Sequence, residues 1–202
     1  ETGPTPARVF GVAPVEDTLQ LNRGGDYLAD PFVVPFIETV PTLEEMTNAA
    51  LNVLDNDPDG MFLMIEGGAI DWASHGNYSP NSSGRMIEEF VDFERSVDAV
   101  IEWVQANSNW GETLLIVMGD HETGYLTGPG SDPLWEPVVN NGAGNLPGME
   151  WHSPDHTNSL IPLFAKGDAG RILRGYADGD DPVHGDYLDN TELGEVLYRS
   201  LG

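Results

Sequence analysis

The chain has no cysteine, which excludes disulfides, thiolate metal sites and a cysteine nucleophile. It has a single lysine, Lys166, and 8 basic residues in all against 34 acids, for a formal net charge of −26. A surface of that sign repels nucleic acid phosphates and anionic membranes, so both are excluded as partners. No apolar run approaches the ~20 residues that span a bilayer. No signal peptide is recognisable either; Glu1-Thr2-Gly3-Pro4 leads straight into a strand-like run. So abrupt a start is expected of a piece of something longer. None of the 10 serines carries a local nucleophile signature.

What is present is a 202-residue chain that is 40% hydrophobic, enough for one α/β domain with a core or for part of a larger one. Its acids are scattered rather than gathered into a tail. They are read as an adaptation to concentrated salt, which screens self-repulsion, in preference to a cation-binding device.

The organising stretch is Met61–His75, MFLMIEGGAIDWASH. Five apolar residues, Met61 to Ile65, read as a strand buried on both faces. Glu66 falls where the strand stops, and Gly67-Gly68 lets the chain turn at once. Asp71 and His75 follow four apart, the spacing that puts two side chains on one face of a helical turn. Two carboxylates and an imidazole beyond the carboxyl end of a buried strand stand where open α/β sheets bind ligands; alone, they could equally be a salt-bridged loop.

The surrounding chain supports the first reading. Arg8–Ala13 is expected to be a short strand. Thr42-Leu-Glu-Glu45 matches a capping box, and Leu43, Met46, Ala50 and Val53 recur at helical spacing, so Thr42–Leu54 is expected to be a helix. Asp55, Asp57, Asp59, Gly60 and Glu66 fit a calcium-loop pattern. An extended Met61–Ile65 would carry Glu66 roughly 17 Å onward, whereas a calcium loop bends it back to within about 2.5 Å of the ion; the calcium reading is set aside. The loop 76–84 holds two formal glycosylation sequons, at Asn77 and Asn81, to which no weight attaches.

Met86, Phe90, Phe93, Val97, Val100 and Val104 then mark a long helix, with Glu88, Glu89, Asp92 and Glu94 expected outward. Thr113–Met118 is a second buried strand, followed by Asp120 and His121. Strand, helix, strand implies a right-handed βαβ unit with parallel strands, bringing Glu66, Asp71, His75, Asp120 and His121 to one sheet edge. Residues 122–150, rich in Gly, Pro and Asn around Trp135, read as an irregular insertion able to roof that edge. If His156 reaches the same place, the strand Ser159–Ala165 runs antiparallel to the other two, at an edge or bulged because Pro162 lacks a donor. Asp178–Asp186 reads as a solvated loop and Asn190–Leu201 as a closing helix.

Three of the five histidines fall at this edge. With Asp and Glu they make a zinc-type ligand set beside a harder, oxygen-only site, which suits two close metals better than one. His152 could replace His156 as the ligand, and His184 is expected at the surface. Thr123 and Trp72 are left between two roles, lining the pocket or only packing.

The segments MIEGGAIDWASH, IVMGDHETG and DHTNSLIPLFAKG resemble the metal-binding blocks of alkaline phosphatases, in their usual order, over about Arg8 to Leu201. The resemblance implies part of a three-layer α/β/α sandwich with a mostly parallel central sheet, with residues 1–202 as the carboxyl-terminal portion of a single domain. It implies a two-zinc, one-magnesium phosphomonoesterase, with Asp71, His75 and His156 on the first zinc, Asp120 and His121 on the second, and Glu66 on magnesium. Trp72 stands where relatives have Lys or His, a position that tunes the magnesium site. The family's nucleophile lies in an upstream Asp-Ser block, and this chain has no Asp-Ser dipeptide. The upstream bridging Asp, the magnesium-binding Thr or Ser and the phosphate-clamping Arg are missing too; Arg8 and Arg23 lie in the wrong context. The expectation is therefore a piece carrying most metal ligands, completed by an upstream part that supplies the serine. The implied partners are a phosphate monoester and a second copy in a homodimer, and the implied location is periplasmic or extracellular. Two alternatives stand: a sister metal-dependent phosphodiesterase or sulfatase-type hydrolase, and a non-catalytic acidic metal-binding module.

Overall fold

Thr42 opens the first helix as its capping box predicts: Oγ1 accepts from the Glu45 N–H at 3.1 Å, and the Glu45 carboxylate accepts from the Thr42 N–H at 2.9 Å. The computed structural model describes residues 7–13, 20–75, 82–132 and 134–201. They divide into two compact units, the first up to Glu102 together with Glu122–Ser159, the second Trp103–His121 together with the chain from Leu160. The sequons at Asn77 and Asn81 lie outside the described residues.

In the first unit, helix α1 (Leu43–Leu54) buries Leu51 and ends in the Asp-rich turn. Helix α2 (Ala69–Ser74) buries Ala69 and Ala73 against Leu21, with Met86 packed alongside. Gly67 has to be glycine there, because a Cβ would stand 2.9 Å from the Phe93 ring. Phe93 belongs to α3 (Ser83–Asn107), the long helix its apolar period predicts, which the chain follows into the second unit.

The polar side of α3 departs from expectation. Glu88 and Glu89 are buried, at 4% and 8% exposure, instead of facing water. The cause is the stretch from Gln20 to Leu43, which supplies this face with donors. Arg23 pairs with Glu88 at 2.7 Å, the Phe32 N–H donates to Glu88 at 2.7 Å, and the Leu43 N–H donates to Asp92 at 3.0 Å. Arg23 is itself buried and also donates to the carbonyls of Gln20, Val34 and Pro35. Glu94 is exposed, as expected.

Glu89 is the costly member. Burial pushes its carboxyl up from 4.5 to about 7, the charge of Asp92 adding to the shift while the Gln20 N–H and Arg23 oppose it. Between those two values the folded chain holds a proton that the unfolded chain has released, so stability falls as pH rises from 4.5 and levels off above 7. In chelator-treated buffer, native protein is expected to lose on the order of 3 kcal/mol more across this window than the Glu89→Gln variant. Paired urea titrations at several pH values check this; equal slopes would refute it.

Two strand expectations fail. Arg8–Ala13 forms no strand, and Phe10 is 93% exposed. Met61–Ile65 also pairs with nothing among the described residues; Phe62 and Met64 are exposed while Met61, Leu63 and Ile65 are half-buried, so the run has one inward side rather than two. With no ladder on it, the expected βαβ unit has no first strand. All four strand pairings among the described residues are antiparallel, and none is parallel.

The second unit does contain the predicted antiparallel pair. Strand β1 (Leu115–Met118) lies against β6 (Leu163–Lys166), with Leu115 opposite Lys166 and Met118 opposite Leu163. β6 starts just after Pro162, which cannot donate to a ladder. It stops at Gly167, where φ is +120° and a Cβ would stand 2.0 Å from the Thr113 carbonyl. Gly167→Ala is expected to cost at least about 2 kcal/mol, combining left-handed strain with a backbone clash; a shift in the urea midpoint measures it. Helix α4 (Gly170–Arg174) follows. Asp178–Asp186 is not a plain loop but a hairpin, with strands β7 (Gly179–Asp181) and β8 (Gly185–Tyr187). Its turn is closed by Asp181, whose carboxylate accepts the N–H groups of His184 and Val183 and is held below the usual range by them. Helix α5 (Asn190–Leu201) matches expectation.

Within the first unit, the described residues of the stretch 122–150 are mostly irregular, with short paired strands near its ends. Strand β2 (Glu122–Thr123) pairs with β5 (His156–Thr157), and β3 (Leu126–Thr127) with β4 (Glu150–Trp151).

Candidate metal centre

Asp71 sits in the first turn of α2 and His75 caps its end, so the helical turn brings Asp71 Oδ2 within 3.3 Å of His75 Nε2. The β2–β5 pairing sets His156 opposite Thr123 and delivers its Nε2 to 3.1 Å from Asp71 Oδ1 and 3.0 Å from His75 Nε2. These three residues are the group in which three potential metal ligands converge among the described residues. The acids Asp55, Asp57 and Asp59 of the calcium-like pattern are exposed and form no such group.

The donor accounting favours a cation at this point. His75 Nδ1 faces the Pro154 carbonyl at 3.1 Å. A carbonyl only accepts, so in the neutral ring Nδ1 carries the proton and Nε2 turns its lone pair inward. Between neutral rings and an ionised Asp71, the triad itself then has at most the one proton of His156 Nε2 to share, and the Thr123 hydroxyl adds one more only to Asp71 Oδ1. A tetrahedral zinc with ligand bonds of about 2.0–2.1 Å holds its donor atoms about 3.3 Å apart. The observed separations of 3.0, 3.1 and 3.3 Å are of that size. A carboxylate and two imidazoles also leave a fourth position open, as catalytic rather than structural zinc sites do.

Thr123 supports the set from outside. Its hydroxyl donates to Asp71 Oδ1 and so orients the carboxylate. The sequence left Thr123 between lining and packing; only the β2–β5 register shows which, and no local motif carries that signal. His152 is not part of the set. Its Nε2 meets Thr127 Oγ1 at 2.7 Å, and its ring packs edge-on to Tyr125. Gly124 makes this arrangement possible: at φ +85° a Cβ there would collide with the Trp151 ring at 2.3 Å.

The other expected ligands stand outside the triad. Glu66 is exposed beside Gly67-Gly68. Asp120 and His121 belong to the second unit, where His121 Nε2 lies 3.3 Å from Asp120 Oδ2. His184 is exposed, as expected, and Trp72 is 40% exposed.

Fold and triad define a mixed α/β protein with three side chains placed so that they could hold a metal ion. The comparisons with known proteins then supply the family. The alkaline phosphatase family model matches residues 36–147. Alkaline phosphatase 3 of Bacillus subtilis is 41% identical over 102 residues, covering 49% of this chain and 21% of the relative. The alkaline phosphatase of Escherichia coli is 30% identical over 151 residues, 71% of this chain and 31% of that one. That of Gadus morhua is 32% identical over 190 residues, 90% of this chain and 36% of the relative. A crystal structure of a cold-active alkaline phosphatase from a psychrophilic Shewanella shares the fold at a TM-score of 0.58 and 20% identity, over 80% of this chain and 50% of that one. The chain belongs to the alkaline phosphatase family. It spans about a fifth to a third of the length of these curated relatives.

Proposed function

We propose that this chain is the metal-carrying portion of an enzyme that hydrolyses phosphate monoesters through two zinc ions and one magnesium ion. Asp71, His75 and His156 would hold the first zinc, Asp120 and His121 the second, and Glu66 the magnesium. An upstream part of the same protein would supply the serine nucleophile and complete a three-layer sandwich. The observation that carries the reading is the convergence of Asp71, His75 and His156; the family membership gives it a reaction. Bound zinc would supply Lewis-acid charge, stabilising oxygen anions and making a hydroxyl or water nucleophilic near neutral pH. The chain's own residues do the preparation. The Pro154 carbonyl fixes the His75 tautomer with its lone pair toward the ligand point. Thr123 turns the Asp71 carboxylate to the same point, and the β2–β5 register brings His156 to it.

The reading extends to a homodimer working in salt, in a periplasmic or extracellular setting; family resemblance and the charge of −26 are its support. The test is turnover by the zinc-loaded polypeptide that contains this chain, on an aryl phosphate monoester beside the matching diester and sulfate ester. Monoester turnover that disappears in Asp71→Ala is the expected result. Preference for the diester or sulfate would replace the reading with a sister hydrolase. Zinc uptake without turnover on any of the three would leave a metal-binding module only.

A further inference from the structure

The β2–β5 pair has a second side. Its register sets Thr123 opposite His156 and Glu122 opposite Thr157. Successive side chains of a strand point to opposite faces, and directly opposed residues share a face. Thr123 and His156 accordingly meet Asp71 on one face, and Glu122 meets Thr157 on the other. There both carboxylate oxygens are in use: Oε1 accepts the Tyr125 N–H and Oε2 the Thr157 hydroxyl. Thr157 Oγ1 in turn accepts the Ser159 N–H at 3.3 Å and meets Ser159 Oγ at 3.0 Å. Glu122, Thr157 and Ser159 are all half-buried.

The ties that place His156 differ on its two sides. Ahead of it the backbone is held by Gly124, whose carbonyl accepts the N–H groups of His152 and Ser153, both at 3.0 Å, and whose N–H donates to the Asp155 carbonyl at 3.1 Å. From His156 onward the ladder has two residue pairs only, and the unit ends at Ser159. The Glu122 bond to Thr157 is the side-chain tie across the ladder on this carboxyl side. A metal ligand has to be held to within about 0.2 Å, and His156 is the neighbour of Thr157 in the chain. The residue type fits the task. Two donors converge on position 122, an ionised carboxylate offers an acceptor oxygen to each, and such charge-assisted bonds are about twice as strong as neutral ones.

We infer that Glu122 is a positioning residue of the metal centre: through Thr157 it fixes the carboxyl-side end of β5 and so holds His156 Nε2 at Asp71 and His75. It acts from the far face of the ladder and makes no contact with the ligand point. The consequence for zinc rests on the function proposed above; the clamp itself does not. Glutamine can take over the same task. Its amide oxygen accepts the Tyr125 N–H, and its NH2 donates to Thr157 Oγ1, whose own hydrogen turns to Ser159.

The experiment compares the full native chain with Glu122→Ala, Glu122→Gln and Thr157→Val. Thr42→Ala, which loses the α1 cap in the same unit, controls for general destabilisation, and Asp71→Ala controls for the metal. Amide hydrogen exchange at residues 155–157 is read without metal, and zinc affinity by chelator competition. Glu122→Ala and Thr157→Val are expected to speed the exchange and to weaken zinc about tenfold, the lower end of the range for partners that orient a ligand. Glu122→Gln and Thr42→Ala should stay close to native in both readouts. Native exchange and affinity in Glu122→Ala would overturn the proposal. So would a loss in Glu122→Gln as large as in Glu122→Ala, because the charge and not the hydrogen bonds would then be the cause. Should Glu122→Ala not fold, Thr157→Val decides in the same way. Zinc binding indifferent to Asp71→Ala would sink the zinc assignment instead, and the exchange, measured without metal, would still decide the clamp.

Discussion

Replacing Asp71 with alanine is expected to weaken zinc binding by this chain by more than about 100-fold. Loss of a partner that merely orients a ligand costs about 10–100-fold, and Asp71 is a ligand itself. It is also the one anion of the triad and meets both imidazoles, at 3.3 and 3.1 Å. Without it, two neutral nitrogens face one another at 3.0 Å with no charge to offset the metal's. Thr123→Val should fall within the smaller range, because the carboxylate remains but loses the hydroxyl that aims it. Asp57→Ala, in the exposed turn, should change nothing. Competition against a chromophoric chelator gives all three affinities. Native affinity in Asp71→Ala would mean that the zinc lies elsewhere.

The second large effect concerns Glu88. Its alanine variant is expected to lose about 3–5 kcal/mol, the cost of breaking a buried ion pair from one side. Arg23 would stay buried, keeping its carbonyl partners and its place 4.5 Å from the Phe36 ring centre but losing its counter-charge. The Phe32 N–H would lose its acceptor as well. Against the usual 5–15 kcal/mol of a folded domain this is about a fifth of the stability or more. Removing both charges together, in Arg23→Met with Glu88→Leu, should restore much of it, since an apolar pair avoids the desolvation cost. Urea midpoints of the two variants measure the difference, and a Glu88→Ala loss under about 1 kcal/mol would contradict the assignment.

What could be read in the sequence was local. The Thr42–Glu45 box, the period of α3 and the helix at Asn190–Leu201 involve residues within a few turns of one another, and the structure has all three. Asp71 and His75 were legible for the same reason. Pairing was harder. Met61–Ile65 has the composition of a buried strand, but composition does not name the neighbour that a ladder needs. The antiparallel course of β6 was inferred from where His156 had to go, and it holds. The inward turn of Glu88 and Glu89 was invisible because their donors lie more than fifty residues upstream. Spacing alone leaves His152 open beside His156; the resemblance points to His156, and the β2–β5 register is what brings it to Asp71 and His75.

The carbonyl that steadies His75 belongs to Pro154, two residues before His156. One short stretch, residues 152–157, therefore governs two of the three ligands at once. When it frays, His156 leaves and His75 loses its tether in the same event, so the site opens as a unit rather than ligand by ligand. Exchange at this centre should then keep time with the local opening of a two-residue ladder, far faster than unfolding of the whole unit. Stiffening residues 152–157 would slow that exchange without touching a single ligand.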